Sequence, residues 1–270
     1  MMIPTFPPDM LTHHYLHLPD VRIHYSTAGK GRPLVLLHGM GSSGQDWLPV
    51  APELARHHHL ILIDLRGHGQ SSLSHHHDYS VRSMAADVWK VVDELGLDSV
   101  SMLGLSLGGC VTIQSAILHP GRLEKIILVN TFAKMRSKGV WDWWAKMKRL
   151  VIAVQGMDKL AWYVASGLFQ DEALRKIAYE ELRHNDLGVI LRTMAGLSRM
   201  NLLKDLPRIS APTLVLIGDR DKTVPPRCAE DLLAGIPNAR LEIIPDAGHA
   251  LPYDQPEKFT QAVLNFLNEA

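Results

Sequence analysis

Residues 103–110 read LGLSLGGC, a single serine, Ser106, set among three glycines at the end of an apolar run. Glycine costs backbone entropy in strand and helix alike, so three of them around one hydroxyl answer a steric demand. The stretch before them, SVSMLGL (99–105), has the continuous apolar character of a buried strand, and LGGCVTIQSAILHP (107–120) reads as a helix. A G-x-S-x-G pattern alone is weak, but between a strand and a helix it describes a sharp turn that lifts the serine above a sheet. Side chains at 104 and 108 would strike the neighbouring strand or helix at such a turn. The first N–H groups of the new helix point at any negative charge that develops there.

The same strand-then-helix rhythm extends in both directions. VRIHYSTA (21–28) looks like an early antiparallel strand. PLVLLHG (33–39), HLILIDL (59–65), KIILVN (125–130), TLVLIGD (213–219) and RLEIIPD (240–246) are further apolar runs. Unbroken apolar runs, without alternation, mark strands covered on both faces, hence a mostly parallel sheet. Helical spacing is clearest at Met84, Ala85, Val88, Val91, Val92 and Leu95, with Ser80 placed as N-cap and Gly96 just past the end. The β-α repeat is broken once. From Ala133 to Asp205 no strand pattern occurs, and the segment is helical and rich in aromatics and methionine, among them Trp141, Trp143, Trp144, Trp162 and Tyr163. It is too long for an ordinary loop. The expected organisation is a core of residues 1–132 and 206–270 carrying a helical cap of residues 133–205, with Trp144 and Trp162 roofing a substrate pocket.

A serine hydroxyl becomes a nucleophile when a base takes its proton, and histidine does this best near neutral pH. Of 15 histidines, His249 is singled out because PDAGHALPYDQPEKF (245–259) follows the last strand and so returns to the edge where Ser106 lies. An acid must hold the imidazole in the right tautomer. GDRDKTVP (218–225), after the preceding strand, offers Asp219 and Asp221, and either could serve. The oxyanion that forms on attack needs two fixed N–H donors. Leu107 supplies one, and Met40, in the small-residue loop HGMGSSGQDW (38–47), is the best candidate for the other; His38 reads as a buried shaping residue.

Composition limits the partners. Lys and Arg number 28 against 28 Asp and Glu, which gives no electrostatic case for nucleic acid or an anionic membrane, so the expected partner is a small molecule. No apolar run approaches the ~20 residues of a membrane span. With two cysteines, Cys110 and Cys228, and no basic or apolar leader in MMIPTFPPDM, a cytoplasmic location is expected. The histidine triplets at 57–59 and 75–77 do not have metal-ligand spacing, and no metal or cofactor is expected.

Taken in order, LLHGMGSSGQDW, DLRGHGQS, GLSLGG, GDRDKTVP and GHALPYDQPEKF resemble the α/β-hydrolase fold family along nearly the whole chain, most closely its capped carboxylesterases and enol-lactonases. The resemblance implies an eight-stranded sheet with the second strand antiparallel, helices on both faces and a helical cap after strand six. It implies that Asp221 orients His249, that Met40 and Leu107 form the oxyanion hole, and that DLRGHGQS is structural. It also implies cleavage of an ester or lactone through an acyl-enzyme. Serine at 106 sets the chain apart from the branches that use an aspartate nucleophile. Carbon-carbon bond hydrolysis on the same triad, or a hydrolase-fold ligand receptor, are the alternatives.

Overall fold

The computed structural model describes residues 11–135, 151–169 and 171–269. Eight strands form one sheet: β1 (Thr12–His17), β2 (Arg22–Ala28), β3 (Arg32–Leu37), β4 (His58–Ile63), β5 (Val100–Leu105), β6 (Leu123–Val129), β7 (Thr213–Gly218) and β8 (Ala239–Ile244). Their spatial order is β1-β2-β4-β3-β5-β6-β7-β8. β2 runs antiparallel to both β1 and β4, and every other pairing is parallel.

Helices cover the sheet on both sides, which explains the continuous apolar runs. In β3, Val35 and Leu37 join the cluster that contains α2 (Val81–Glu94), α3 (Leu107–Leu118) and α7 (Arg227–Gly235), through Val88, Val111 and Leu232. Leu34 and Leu36 face the opposite cluster, with Leu54 of α1 (Ala51–Leu54) and Phe259, Val263 and Phe266 of α9 (Pro256–Asn268). A strand apolar on both faces has no solvent side to alternate with. The Ser80 hydroxyl caps α2 by accepting from Ser83 N–H at 3.2 Å, and Gly96 turns the chain at φ +65°. β1 escapes the sequence reading because its residues are exposed or half-buried. THHYLH is an edge strand without an apolar run.

Between β6 and β7 the described residues form α4 (Met157–Leu168), α5 (Glu172–Arg183) and α6 (Leu187–Arg199). This helical excursion closes on itself: Lys134 bridges Asn201, and Leu202 N–H donates to Ala133 C=O at 2.9 Å. A last short helix, α8 (Leu251–Asp254), precedes α9. No helix among the described residues is long and apolar enough to cross a membrane.

β4 lies on one side of β3 and β5 on the other, so the direction of winding reverses at β3. In open α/β sheets the crevice above such a reversal is where ligands bind. β3 and β5 are hydrogen-bonded neighbours, with Leu37 opposite Gly104, so the loops that follow them emerge side by side.

Candidate active site

Ser106 sits between β5 and α3 at φ 53°, ψ −110°, a conformation that a residue with a Cβ holds only when its surroundings force it. Those surroundings are tight. A Cβ on Gly108 would lie inside the carbonyl of Leu37, one on Gly104 would strike Gly108 C=O, and one on Gly109 would meet Thr131 at 2.5 Å. The backbone around the serine is tied to the next strand: Ser106 N–H donates to Val129 C=O at 2.9 Å, and Thr131 Oγ1 donates to Ser106 C=O at 2.6 Å. Leu107 N–H stands at the open end of α3, where no earlier turn supplies an acceptor. Cys110, one turn on, is buried, and its thiol is pushed up to about 12 by desolvation, so it serves packing.

Met40 follows β3 in the adjacent loop. Gly39 lies against the serine, since a Cβ there would touch Ser106 Cβ at 3.9 Å. His38 shapes this turn from beneath. Leu65 N–H donates to its Nε2 at 3.0 Å, which leaves Nδ1 to donate to Gly39 C=O at 2.7 Å. The ring is fully buried, and burial lowers its pKa, so it stays neutral with both nitrogens engaged.

His249 and Asp221 come together as well. His249 Nδ1 lies 2.9 Å from Asp221 Oδ2, with 12% and 5% of the two side chains exposed. The other carboxylate oxygen of Asp221 accepts from Thr223 N–H at 2.6 Å and Val224 N–H at 3.2 Å, which fixes its plane. Asp219 is engaged elsewhere, accepting from Ala247 N–H at 3.3 Å within the loop that carries the histidine. The structure thus separates the two aspartates that the sequence left equivalent. With Nδ1 committed to Asp221, Nε2 is the ring nitrogen free to face a substrate. The Ser106 hydroxyl is hydrogen-bonded to no described residue, His249 included.

A residue the sequence reading passed over joins these loops. Asn130, at the end of β6, is 1% exposed and adopts φ 42°. Its Nδ2 donates to Gly248 C=O and His249 C=O, both at 2.9 Å, and its Oδ1 accepts from Gly218 N–H at 3.1 Å. One amide therefore connects the end of β7, the histidine loop and, through the flanking Val129 and Thr131, the serine turn. The only signal in the sequence is an asparagine closing an apolar strand, a residue type that tolerates positive φ.

The DLRGHGQS loop is structural. Asp64 accepts from Gly44 N–H at 2.7 Å and Gln70 N–H at 2.8 Å and contacts His24 Nδ1 at 2.8 Å, while Arg66 grips Asp87 with two donors at 2.6 and 2.8 Å. Of the two tryptophans expected in the substrate pocket, Trp144 lies outside the described residues. Trp162 is 51% exposed and stacks edge-on against Tyr179. It lines a cavity of about 450 Å³ with Ile152, Gln155, Asp158 and Lys159, a group that includes none of Ser106, His249 and Asp221.

Known proteins resemble the chain along most of its length. Over 256 residues the chain is 30% identical to a Caulobacter sp. (strain K31) protein named "Putative carbamate hydrolase RutD", covering 91% of this chain and 94% of the relative. Among solved structures, a hydrolase from Pseudomonas aeruginosa PA01 superposes with a TM-score of 0.84 at 28% identity, over 95% of this chain and 98% of that one. The enol-lactonase from Burkholderia xenovorans LB400 also gives 0.84, at 26% identity, over 95% of this chain and 100% of the other. The family model for the alpha/beta hydrolase fold matches residues 32–256, and with that match the chain belongs to the α/β-hydrolase fold family.

Proposed function

We propose that this chain is a serine hydrolase that cleaves a small carboxylic ester or lactone through an acyl-enzyme, using no group beyond its own side chains and backbone. The observation that carries the reading is the nearly buried His249–Asp221 pair on a loop that Asn130 ties to the end of β6, together with a serine held at positive φ between β5 and α3. Ser106 Oγ attacks the substrate carbonyl while His249 Nε2 takes its proton, and Asp221 stabilises the imidazolium that results. Met40 and Leu107 N–H receive the oxyanion; loss of one such donor elsewhere costs roughly 3 kcal/mol of barrier. His249 then returns the proton to the departing alcohol oxygen. Water attacks the acyl-serine by the same route in reverse, releasing the acid and restoring the hydroxyl.

The helical excursion is the cap of this enzyme, and it supplies the walls that select the acyl and alcohol groups. The test is Ser106→Ala, which should lower the turnover of short nitrophenyl esters by about a thousandfold or more. A variant as fast as the parent would overturn the reading. The similarity to the carbamate hydrolase relative favours a second substrate class, because a carbamate presents the same carbonyl beside a nitrogen and can be opened by the same steps. Ratios of kcat/KM for matched esters, lactones and carbamates decide between them.

A further inference from the structure

The loop that carries Met40 is held from two sides. The core fixes its ends: His38 Nδ1 and Ser42 N–H both donate to Gly39 C=O, at 2.7 and 3.3 Å, and Gly44 N–H donates to Asp64 Oδ1 at 2.7 Å. Its middle is held by the cap. Asn185, just beyond α5, donates from Nδ2 to Gly41 C=O at 2.7 Å, and Ser43 Oγ donates to Glu181 Oε1 at 2.7 Å. No other described group donates to Gly41 C=O. Gly41 has φ +81°, and a Cβ there would meet Leu182 Cδ2 at 2.7 Å and Ile190 Cδ1 at 3.6 Å, so the loop lies flush against α5 and α6. The Met40 side chain packs into the cap's small cluster of Ala153, Leu160 and Ile190.

A backbone donor works as half of an oxyanion hole only if its peptide plane is fixed, since a misplacement of about 1 Å can cost on the order of a hundredfold in rate. Met40 N–H shares its peptide plane with the Gly39 carbonyl, which the core pins, and two peptides further on the Gly41 carbonyl is pinned by Asn185, so the loop is anchored by the core on one side of the donor and by the cap on the other. We propose that Asn185 and Glu181 are positioning residues for the oxyanion hole, so that the hole is complete only when the cap is seated on the loop. The proposal rests on the reading of Met40 as an oxyanion donor. It gives the cap a part in the chemical step as well as in choosing the substrate.

The experiment compares Asn185→Ala and Glu181→Ala with Asp171→Ala, which removes the N-cap at the far end of the same helix, where Asp171 Oδ1 accepts from Leu174 N–H at 2.9 Å. Each variant is assayed for kcat and KM on a short nitrophenyl ester. Each is also titrated with a trifluoromethyl ketone, which forms the oxyanion, and with the carboxylic acid product, which does not. For Asn185→Ala, kcat should fall by about tenfold or more with KM within threefold, and ketone affinity should fall by a similar factor while product affinity holds. Glu181→Ala should follow in the same direction, and Glu181→Gln, whose amide oxygen still accepts from Ser43, should recover most of the rate. Asp171→Ala, with a comparable loss of thermal stability, should keep its kcat. Equal losses in all the cap variants, or a loss confined to KM, would overturn the proposal. Ser106→Ala in the same assay separates the two readings. If it abolishes turnover while Asn185→Ala is unaffected, only the positioning role fails; if it keeps turnover, both fail.

Discussion

At the end of β6, Asn130 is almost fully buried and its amide joins three backbone groups of two other loops; beyond α5, Asn185 reaches Gly41 from a half-buried seam. Their settings differ as much as their exposure. α3, which abuts the serine, buries 11 of its 12 residues, whereas α5 buries only Leu182. The cap's own clusters consist of Ala153, Leu160 and Ile190, and of Ala161, Ala165 and Leu182. Buried polar networks surrounded by a large core move little, and elements with few buried apolar contacts open first. Ser106, His249 and Asp221 are therefore held on the rigid side of the molecule, and the loop of Met40 is shared with the compliant side.

Three substitutions probe that contrast. The largest effect is expected from Gly108→Ala, because the added methyl meets the backbone of Leu37 and His38 and neither strand nor helix can retreat. It should lower stability by more than about 4 kcal/mol, read from denaturant unfolding. A loss below about 1 kcal/mol would mean that the elbow yields. Asn130→Ala comes next. It strips the carbonyls of Gly248 and His249 and the N–H of Gly218 of a buried partner, so a loss of about 2–4 kcal/mol is expected together with a fall in kcat. Unchanged activity would show that the histidine loop is held without it.

The smallest effect belongs to the seam. Asp46 accepts from Ser42 Oγ at 2.5 Å, and desolvation together with the nearby Glu181 carboxylate raises its pKa; Glu181 is raised by desolvation as well. A carboxyl whose folded pKa lies above its unfolded value of about 3.9 costs no stability below that value, and costs progressively more as pH climbs to the folded pKa. Asp46→Asn removes the ionisation. Its Tm should match the parent's near pH 4 and exceed it by a margin that widens up to about pH 8, where the folded carboxyl ionises. A margin that is constant or shrinks with pH would contradict the assignment.

Much of this was legible in the sequence for a local reason. Strands β3 to β7 announce themselves because a residue run buried on both faces, such as Leu34 to Leu37, has no polar positions; β8, read as a further apolar run, is exposed or half-buried at every residue but Ile244. Ser106, His249 and the aspartate loop follow from their places at strand ends. What escaped depends on partners far along the chain. Asp219 and Asp221 are alike in sequence and differ only because the 247–249 loop arrives between them, leaving one to Ala247 N–H and the other to the imidazole. Asn130 works across 118 and 119 residues, and Asn185 across 144. No periodicity encodes such pairings. β1 was missed for the opposite reason, since an exposed edge strand of histidines carries no apolar signature.

The cap leaves and rejoins the sheet at one point, where Lys134 bridges Asn201 and Leu202 bonds to Ala133. An excursion whose two ends touch works as a cassette: a different helical segment spliced between them would leave β6 and β7 paired and Ser106, His249 and Asp221 where they are. Under the proposed function, substrate range and catalytic machinery are thereby separately heritable, with one condition on any incoming segment. It must bring its own donor to the carbonyl of Gly41.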